Sequence, residues 1–355
     1  DRSPSRGLGD VYKRQFINYD DLDLSVGKED RMSTLFVIGN GFDRAHGLKT
    51  SYWDFRKYLE KYAEDFLVQM EKMYSIAPFE RLDKRFKKNK NIQNRRDDAI
   101  YKTLWKNFEY GLGEANEAEM LDFSKSIVDD LDLDGGPVGI KDTMDDYWEE
   151  QYRFIEGLNE YVGKWIRQVR LFKAAPMKAT FIDNSEDYFF TFNYTSVLER
   201  IYRVPSNHIL HIHGGLYPYC DEPPILGHGN VKKIKEYREK AERAAEEYDE
   251  GKESIYNAVA NYYERTFKNT NECMAFRGNF FRQLTEVNNV EIIGHSFGEV
   301  DMPYFIYLKY CISKNAKWKF YYHSLEDYNA AEEAVKELEL DIGDYEILPS
   351  DCFWQ

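Results

Sequence analysis

From residue 34 the chain alternates between short apolar runs and longer stretches with apolar residues at helical spacing. The run TLFVI at 34–38 is continuous, the pattern of a strand buried on both faces, and it ends in Gly39-Asn40-Gly41. Similar runs at 187–193 (DYFFTFN), 208–213 (HILHIH), 290–293 (VEII) and 317–322 (KWKFYY) predict four more strands, and 344–348 (DYEIL) an edge strand. From 50 to about 73, Phe55, Leu59, Tyr62 and Phe66 recur at helical spacing, with Thr50 or Ser51 placed to cap the helix. Residues 98–130 and 142–173 also read as helices, split by the breaker Asp134-Gly135-Gly136-Pro137, and 328–338 reads as another. The basic, polar stretch 80–95 reads as a solvated loop or helix face. The charged, helix-prone stretch 231–268 reads as an exposed insertion. Apolar strands separated by helices predict an α/β fold on a Rossmann-like parallel sheet.

The resulting plan has a Rossmann-like core at 32–55 plus 174–350, a large helical insertion at 56–173 and a charged helical insertion at 231–270. Residues 1–15, DRSPSRGLGDVYKRQ, resemble a translated sequencing adapter, and 16–31 are polar without a clear period. The stretch 1–31 therefore reads as a non-native or disordered leader, with Met32 as the native start. It lacks the apolar centre of a signal peptide.

Charge changes the picture by exclusion. With 48 basic and 63 acidic residues the net charge is -15, which disfavours a broad nucleic-acid or anionic-membrane surface. The four cysteines, Cys220, Cys273, Cys311 and Cys352, are far apart and form no CxxC pair, so a reducing, cytoplasmic setting is expected. No apolar run approaches the ~18 residues of a membrane span.

In open parallel sheets, ligands bind beyond the carboxyl ends of the strands. Four predicted strands end in unusual polar residues. Gly39-Asn40-Gly41-Phe42-Asp43 allows a tight turn and close approach of backbone N–H groups to a phosphate, although Arg44 stands where GxGxxG requires glycine. Asn193, closing the second strand in Thr191-Phe192-Asn193-Tyr194-Thr195, offers donors and an acceptor at one point, or else caps a helix at 195–202. In His208-Ile209-Leu210-His211-Ile212-His213-Gly214, strand alternation places His211 and His213 on one face and His208 on the other, so the histidines are split and no metal is expected. His213 falls at the strand end, where a ring faces a ligand crevice, and His211 reads as an oriented structural histidine. Gly294-His295-Ser296-Phe297-Gly298 matches the GxSxG nucleophile elbow, but only His323 follows it as a triad partner. The alternative reading is a ligand-binding turn.

Taken in this order, LFVIGNGFDRAHGLKTSYWDF, FFTFNYT, HILHIHG and VEIIGHSFGEVDMPYF resemble the AbiH-type bacteriophage abortive-infection family over nearly all of residues 34–323. That family is in turn similar to sirtuin-like NAD-binding domains, in which a Gly-rich loop, an Asn-containing strand end, a His-Gly pair and a Gly-x-Ser turn surround NAD. The resemblance implies that Gly39, Asn40, Gly41, Phe42 and Asp43 form the phosphate loop. It implies that Asn193 lies near the nicotinamide ribose, that His213 is the general base, and that Gly294 and Ser296 form the adenosine-side turn. Gly214, His295 and Asp301, beside these, complete the cofactor-binding set. The paired cysteines of the sirtuin zinc module are missing, so protein deacylation is not implied, and GNGFD replaces the sirtuin GAG pattern.

The implied reaction is hydrolysis of NAD, as substrate, to nicotinamide and ADP-ribose through a ribosyl cation, with Asp43 or Asp301 placing negative charge near it. A phage-derived activator and self-association are the implied partners. Two alternatives stand beside this reading: a non-catalytic nucleotide-binding sensor on the same fold, and a GxSxG serine hydrolase.

Overall fold

The computed structural model describes residues 33–76, 89–118, 121, 125, 157–177, 186–216 and 218–355. The leader, the breaker at 134–137, and residues 80–88 and 126–156 of the stretches expected to be loop and helix lie outside the described residues.

Six strands form one all-parallel sheet: β1 (Ser33–Ile38), β2 (Tyr188–Thr191), β3 (Ile209–His211), β4 (Val287–Ile293), β5 (Lys317–Tyr322) and β6 (Tyr345–Pro349). Their order is β3-β2-β1-β4-β5-β6. This is the order of the doubly wound dinucleotide-binding architecture, and it places a topological switch point between β1 and β4. Val37 sits in register with Phe190 on one side and Ile292 on the other. All three are buried, as the uninterrupted apolar runs required. Alternation sends Leu35 and Val37 into one core with Phe190, Ile292 and Phe320, and Phe36 and Ile38 into another with Phe189 and Ile293.

Several predicted elements differ in extent. β2 stops at Thr191 and β3 at His211, so Asn193 and His213 lie in the turns beyond the ladder. β4 begins at Val287, where a register shift opposite Ser33 and Thr34 lets its polar start join the sheet. The helix expected over 50–73 is two, α2 (Tyr52–Tyr62) and α3 (Glu64–Lys72), following α1 (Asn40–Ala45). The break falls at Ala63, whose backbone leaves the helical region at φ -152°, ψ 52°, with no proline or glycine to announce it. Ser51 caps α2 in a reciprocal box with Asp54.

The charged stretch is not the exposed insertion its composition suggested. It forms α6 (Val231–Glu246) and α7 (Glu250–Arg265), after α4 (Lys90–Thr103) and α5 (Phe108–Leu112). In α7, Ile255, Ala258, Val259, Tyr262 and Tyr263 are buried. They share one apolar core with Phe55 and Leu59 of α2, Phe66 and Met70 of α3, Phe108 of α5 and the helical residues 157–166. The two insertions are thus one helical lobe. The reason is α7's small-and-aromatic stripe, which leaves the charges of α6 to the solvent. No helix among the described residues is long and apolar enough to cross a membrane.

The steric test of this arrangement lies at Gly294, which has φ +69° and whose added Cβ would stand 2.4 Å from the Phe42 nitrogen. Gly294→Ala is expected to lose about 2–5 kcal/mol, ~1–2 from the left-handed backbone and ~1–3 from overpacking. Gly298→Ala, whose Cβ meets nothing within 4 Å, is expected to change stability by less than ~0.5 kcal/mol. Equal urea midpoints for the two variants would remove the steric argument.

Candidate functional site

The two glycine turns at the switch point are packed on each other. Gly39 N–H donates to the Ile293 carbonyl at 2.9 Å and Gly41 N–H to the Gly294 carbonyl at 2.8 Å. A Cβ on Gly39 would lie 2.4 Å from the Gly294 oxygen, and one on Gly41 2.6 Å from the Gly294 Cα. These glycines admit neighbouring backbone, and their N–H groups are already engaged, so the expected phosphate-loop role of Gly39 and Gly41 is not met by free donors here. Phe42 is fully buried against His46, Tyr202 and Trp354. It belongs to the core, a correction to its place in the cofactor set. Asn40 opens α1 and is part-exposed. Gly214, at φ +74°, packs against Pro223, whose carbonyl oxygen would be 2.1 Å from an added Cβ.

Asp43 points inward, 1% exposed. Asn193 Nδ2 donates to Asp43 Oδ1 at 3.0 Å and to the Gly39 carbonyl at 3.1 Å, and Thr195 Oγ1 donates to Asp43 Oδ2 at 2.6 Å. The Gly39 carbonyl can only accept, which fixes the amide orientation of Asn193. Asn193 is therefore a clamp on the first turn and does not cap a helix; Ser196 holds the N-cap position of Val197–Arg200. Both its amide hydrogens are bound. Burial pushes the Asp43 carboxyl up to about 7, against the lowering effect of Thr195 and Asn193.

His211 and His213, expected to share a face, enter separate networks. His211 Nδ1 lies 2.8 Å from the Asn193 carbonyl and Nε2 2.8 Å from Glu199 Oε1. The Asn193 backbone carbonyl can only accept, so Nδ1 donates to it, and Nε2 faces Glu199 in a buried His–Glu pair. His213, beyond the strand end, faces Lys268, whose Nζ donates to its Nε2 at 3.2 Å. Its proton therefore sits on Nδ1. Burial, with the Lys268 ammonium, holds the ring well below the usual histidine range, hence neutral.

Lys268 is the centre of a cluster that sequence reasoning missed. Its side chain is fully buried, donates to Asp301 Oδ1 at 3.0 Å, and pairs with Glu109 Oε2. Tyr52 of α2 donates to the other oxygen of Glu109. Asp301 stands at the N-cap of α8 (Met302–Cys311) but makes no cap bond; its carboxylate turns to the cluster instead. His295 Nδ1 accepts from the Phe297 N–H at 2.9 Å, so its Nε2 carries the proton and faces Asp301 Oδ2 at 3.4 Å. Burial would raise Asp301, but the Lys268 ammonium outweighs it and holds the carboxyl far below the usual range. Phe192 joins the parts, with ring centres 5.2 Å from His213 and 4.2 Å from His295. Ser296, in contrast, is exposed, and the described hydrogen bonds include none from it to a histidine.

Asp43 gives a measurable pH dependence. Its carboxyl is raised above the unfolded value, so between about pH 4 and 7 the folded state binds more protons and stability falls as pH rises. Asp43→Asn removes that contribution. The stability of the variant relative to the parent is expected to rise by up to ~1.4 kcal/mol per pH unit across this window and to level off above it. Urea unfolding at pH 4.5, 5.5, 6.5 and 7.5 reads the difference, and a constant gap would contradict the assignment.

A model of the family described as bacteriophage abortive infection AbiH matches residues 35–322. No curated protein and no solved structure matches the chain. The matched span runs from β1 to the end of β5 and contains both glycine turns, the Asp43 clamp and the Lys268 cluster. The chain belongs to the bacteriophage abortive infection AbiH family.

Proposed function

We propose that the protein serves its abortive-infection role by binding NAD at the β1–β4 switch point and hydrolysing the nicotinamide–ribose bond. The observation that carries this reading is the meeting of the two glycine turns at that point, with the Asp301 carboxylate on its rim, 17% exposed and kept ionised by Lys268. A sirtuin-like arrangement of the nucleotide is part of the same proposal.

In the reaction the bond from the ribose C1′ to the pyridinium nitrogen breaks and its electron pair leaves with nicotinamide. Water forms the new bond at C1′ and gives up a proton. The transition state is cationic at the ribose, and a fixed carboxylate in a water-poor site stabilises it. Asp301 supplies that charge. Asn193 offers its side-chain amide oxygen to a ribose hydroxyl. His213 is neutral, the form a base requires, and takes the proton in a complex where water or a ribose hydroxyl replaces Lys268 at Nε2.

One observation favours the sensor reading, in which nucleotide is bound and not cleaved: the His213 lone pair is engaged by Lys268. A nicotinamide-release assay on the purified protein separates the two. Turnover is expected, with Asp301→Asn and His213→Ala each lowering kcat by ~10²-fold or more. Ser296→Ala is expected to leave kcat nearly unchanged. NAD binding without nicotinamide release favours the sensor. Hydrolysis of an activated ester that is lost in Ser296→Ala, without nicotinamide release by the parent, favours the serine hydrolase and ends the NAD proposal.

A further inference from the structure

We propose that Lys268 is a positioning residue of the active site, which sets the orientation of the Asp301 carboxylate and the tautomer of His213 and so makes the helical lobe an obligatory part of that site. The proposal rests on the NAD reading for the reaction it serves, but not for its geometry.

Three observations carry it. First, the backbone beneath Lys268 is pinned. After α7 ends at Arg265, residues 266–268 bridge to His228: His228 N–H donates to the Thr266 carbonyl at 2.9 Å and Lys268 N–H to the His228 carbonyl at 2.9 Å. Gly227 allows this approach, since an added Cβ would lie 2.6 Å from the Thr266 oxygen and 2.9 Å from the Lys268 nitrogen. The His228 ring is itself fixed, accepting from Asn230 N–H through Nδ1 and donating to the Tyr263 carbonyl through Nε2. Second, an ammonium with 0% exposure is a costly thing to keep in a fold, and removing one partner of a buried pair leaves the other uncompensated. Third, its three partners come from three parts of the chain: Glu109 from the helical lobe, His213 from the turn after β3, and Asp301 from the turn after β4. One donor to Asp301 Oδ1 fixes the carboxylate, and one donor to His213 Nε2 assigns its proton to Nδ1.

An ion pair that made no contact with His213 would leave the tautomer of His213 unchanged when the ammonium is removed. The groups that bear on His213 are Lys268, Asp301, His295 and Arg277. Burial, the largest influence on the ring, remains without the ammonium, but Asp301 becomes the dominant charged neighbour and shifts the ring toward protonation.

The experiment is proton-detected NMR of the full chain with labelled histidines, His213 being assigned from His213→Gln, together with nicotinamide release. In the wild-type protein the His213 signal is expected to stay flat from pH 5 to 8 as the Nδ1–H tautomer. In Lys268→Met it is expected to titrate within that window, and kcat for nicotinamide release to fall ~10²-fold with KM within ~3-fold. Lys268→Arg, which restores the charge, is expected to return the His213 signal to a flat profile. A wild-type His213 that titrates as an ordinary histidine overturns the proposal with no variant needed. So does a folded Lys268→Met with a flat His213 signal and unchanged kcat, and so does a Lys268→Met that releases nicotinamide faster, which would make the pair a restraint. If the wild-type protein releases no nicotinamide while Lys268→Met brings His213 into titration, the NAD reading fails and the positioning role stands.

Discussion

Where β1 and β4 end, two peptide turns come together until backbone meets backbone, and no side chain larger than a hydrogen fits between Gly39, Gly41 and Gly294. Much of the site follows from that approach. It fills the mouth of the switch point with engaged peptide groups, and it turns Phe42 into the core and Asp43 toward β2. The Asp43 carboxylate then needs partners in a dry place, and Asn193 and Thr195, two residues apart beyond the end of β2, supply one for each oxygen. Asn193 also reaches back to the Gly39 carbonyl, so the second strand end clamps the first. An unpaired carboxylate in that position would cost several kcal/mol.

The same sheet edge holds two carboxyl groups in opposite condition. Among the described residues Asp43 has neutral donors and no cation in hydrogen-bond contact, so burial dominates and pushes it up to about 7. Asp301 has an ammonium at 3.0 Å and stays ionised far below the usual range. Environments that drive two carboxyls apart in this way commonly mark a division of labour between a proton-holding and a charge-holding group. Here the charge-holding member is the one with an accessible edge. Asp43 is sealed, and its titration is read in stability.

The sheet was legible because a strand buried on both faces must be an uninterrupted apolar run, and TLFVI and VEII have little other use. The polar strand ends were legible for the same reason: polar residues directly after such a run are unusual. Their chemistry was only partly legible. The GNG and GHS turns carry glycine because of each other, a pairing across 253 residues (41 to 294) that no local pattern encodes. Lys268 and Glu109 could not be singled out, since each sits in or beside charge-rich helix where a buried charge and a solvated one look alike. The one available signal was Gly227-His228-Gly229, a backbone permitted to approach another chain segment. α7 shows the opposite case: its stripe of Ile255, Ala258, Val259, Tyr262 and Tyr263 has helical spacing, but the surrounding charge hid it.

The cluster also bears on how a substrate enters. Lys268 is sealed, whereas Asp301 and Glu109 keep 17% and 13% of their side chains exposed, so the open edge of the site is acidic. With one ammonium against two carboxylates, its formal charge is -1 when Glu109 is ionised, and burial, opposed by Lys268, raises the Glu109 carboxyl above its ordinary range. An approaching pyrophosphate is repelled by this edge, and a cationic ring is drawn to it. On the proposed reading, NAD therefore enters with its pyridinium toward Asp301 and its phosphates held away from the cluster. That orientation brings the ribose C1′ to the carboxylate that favours cation formation.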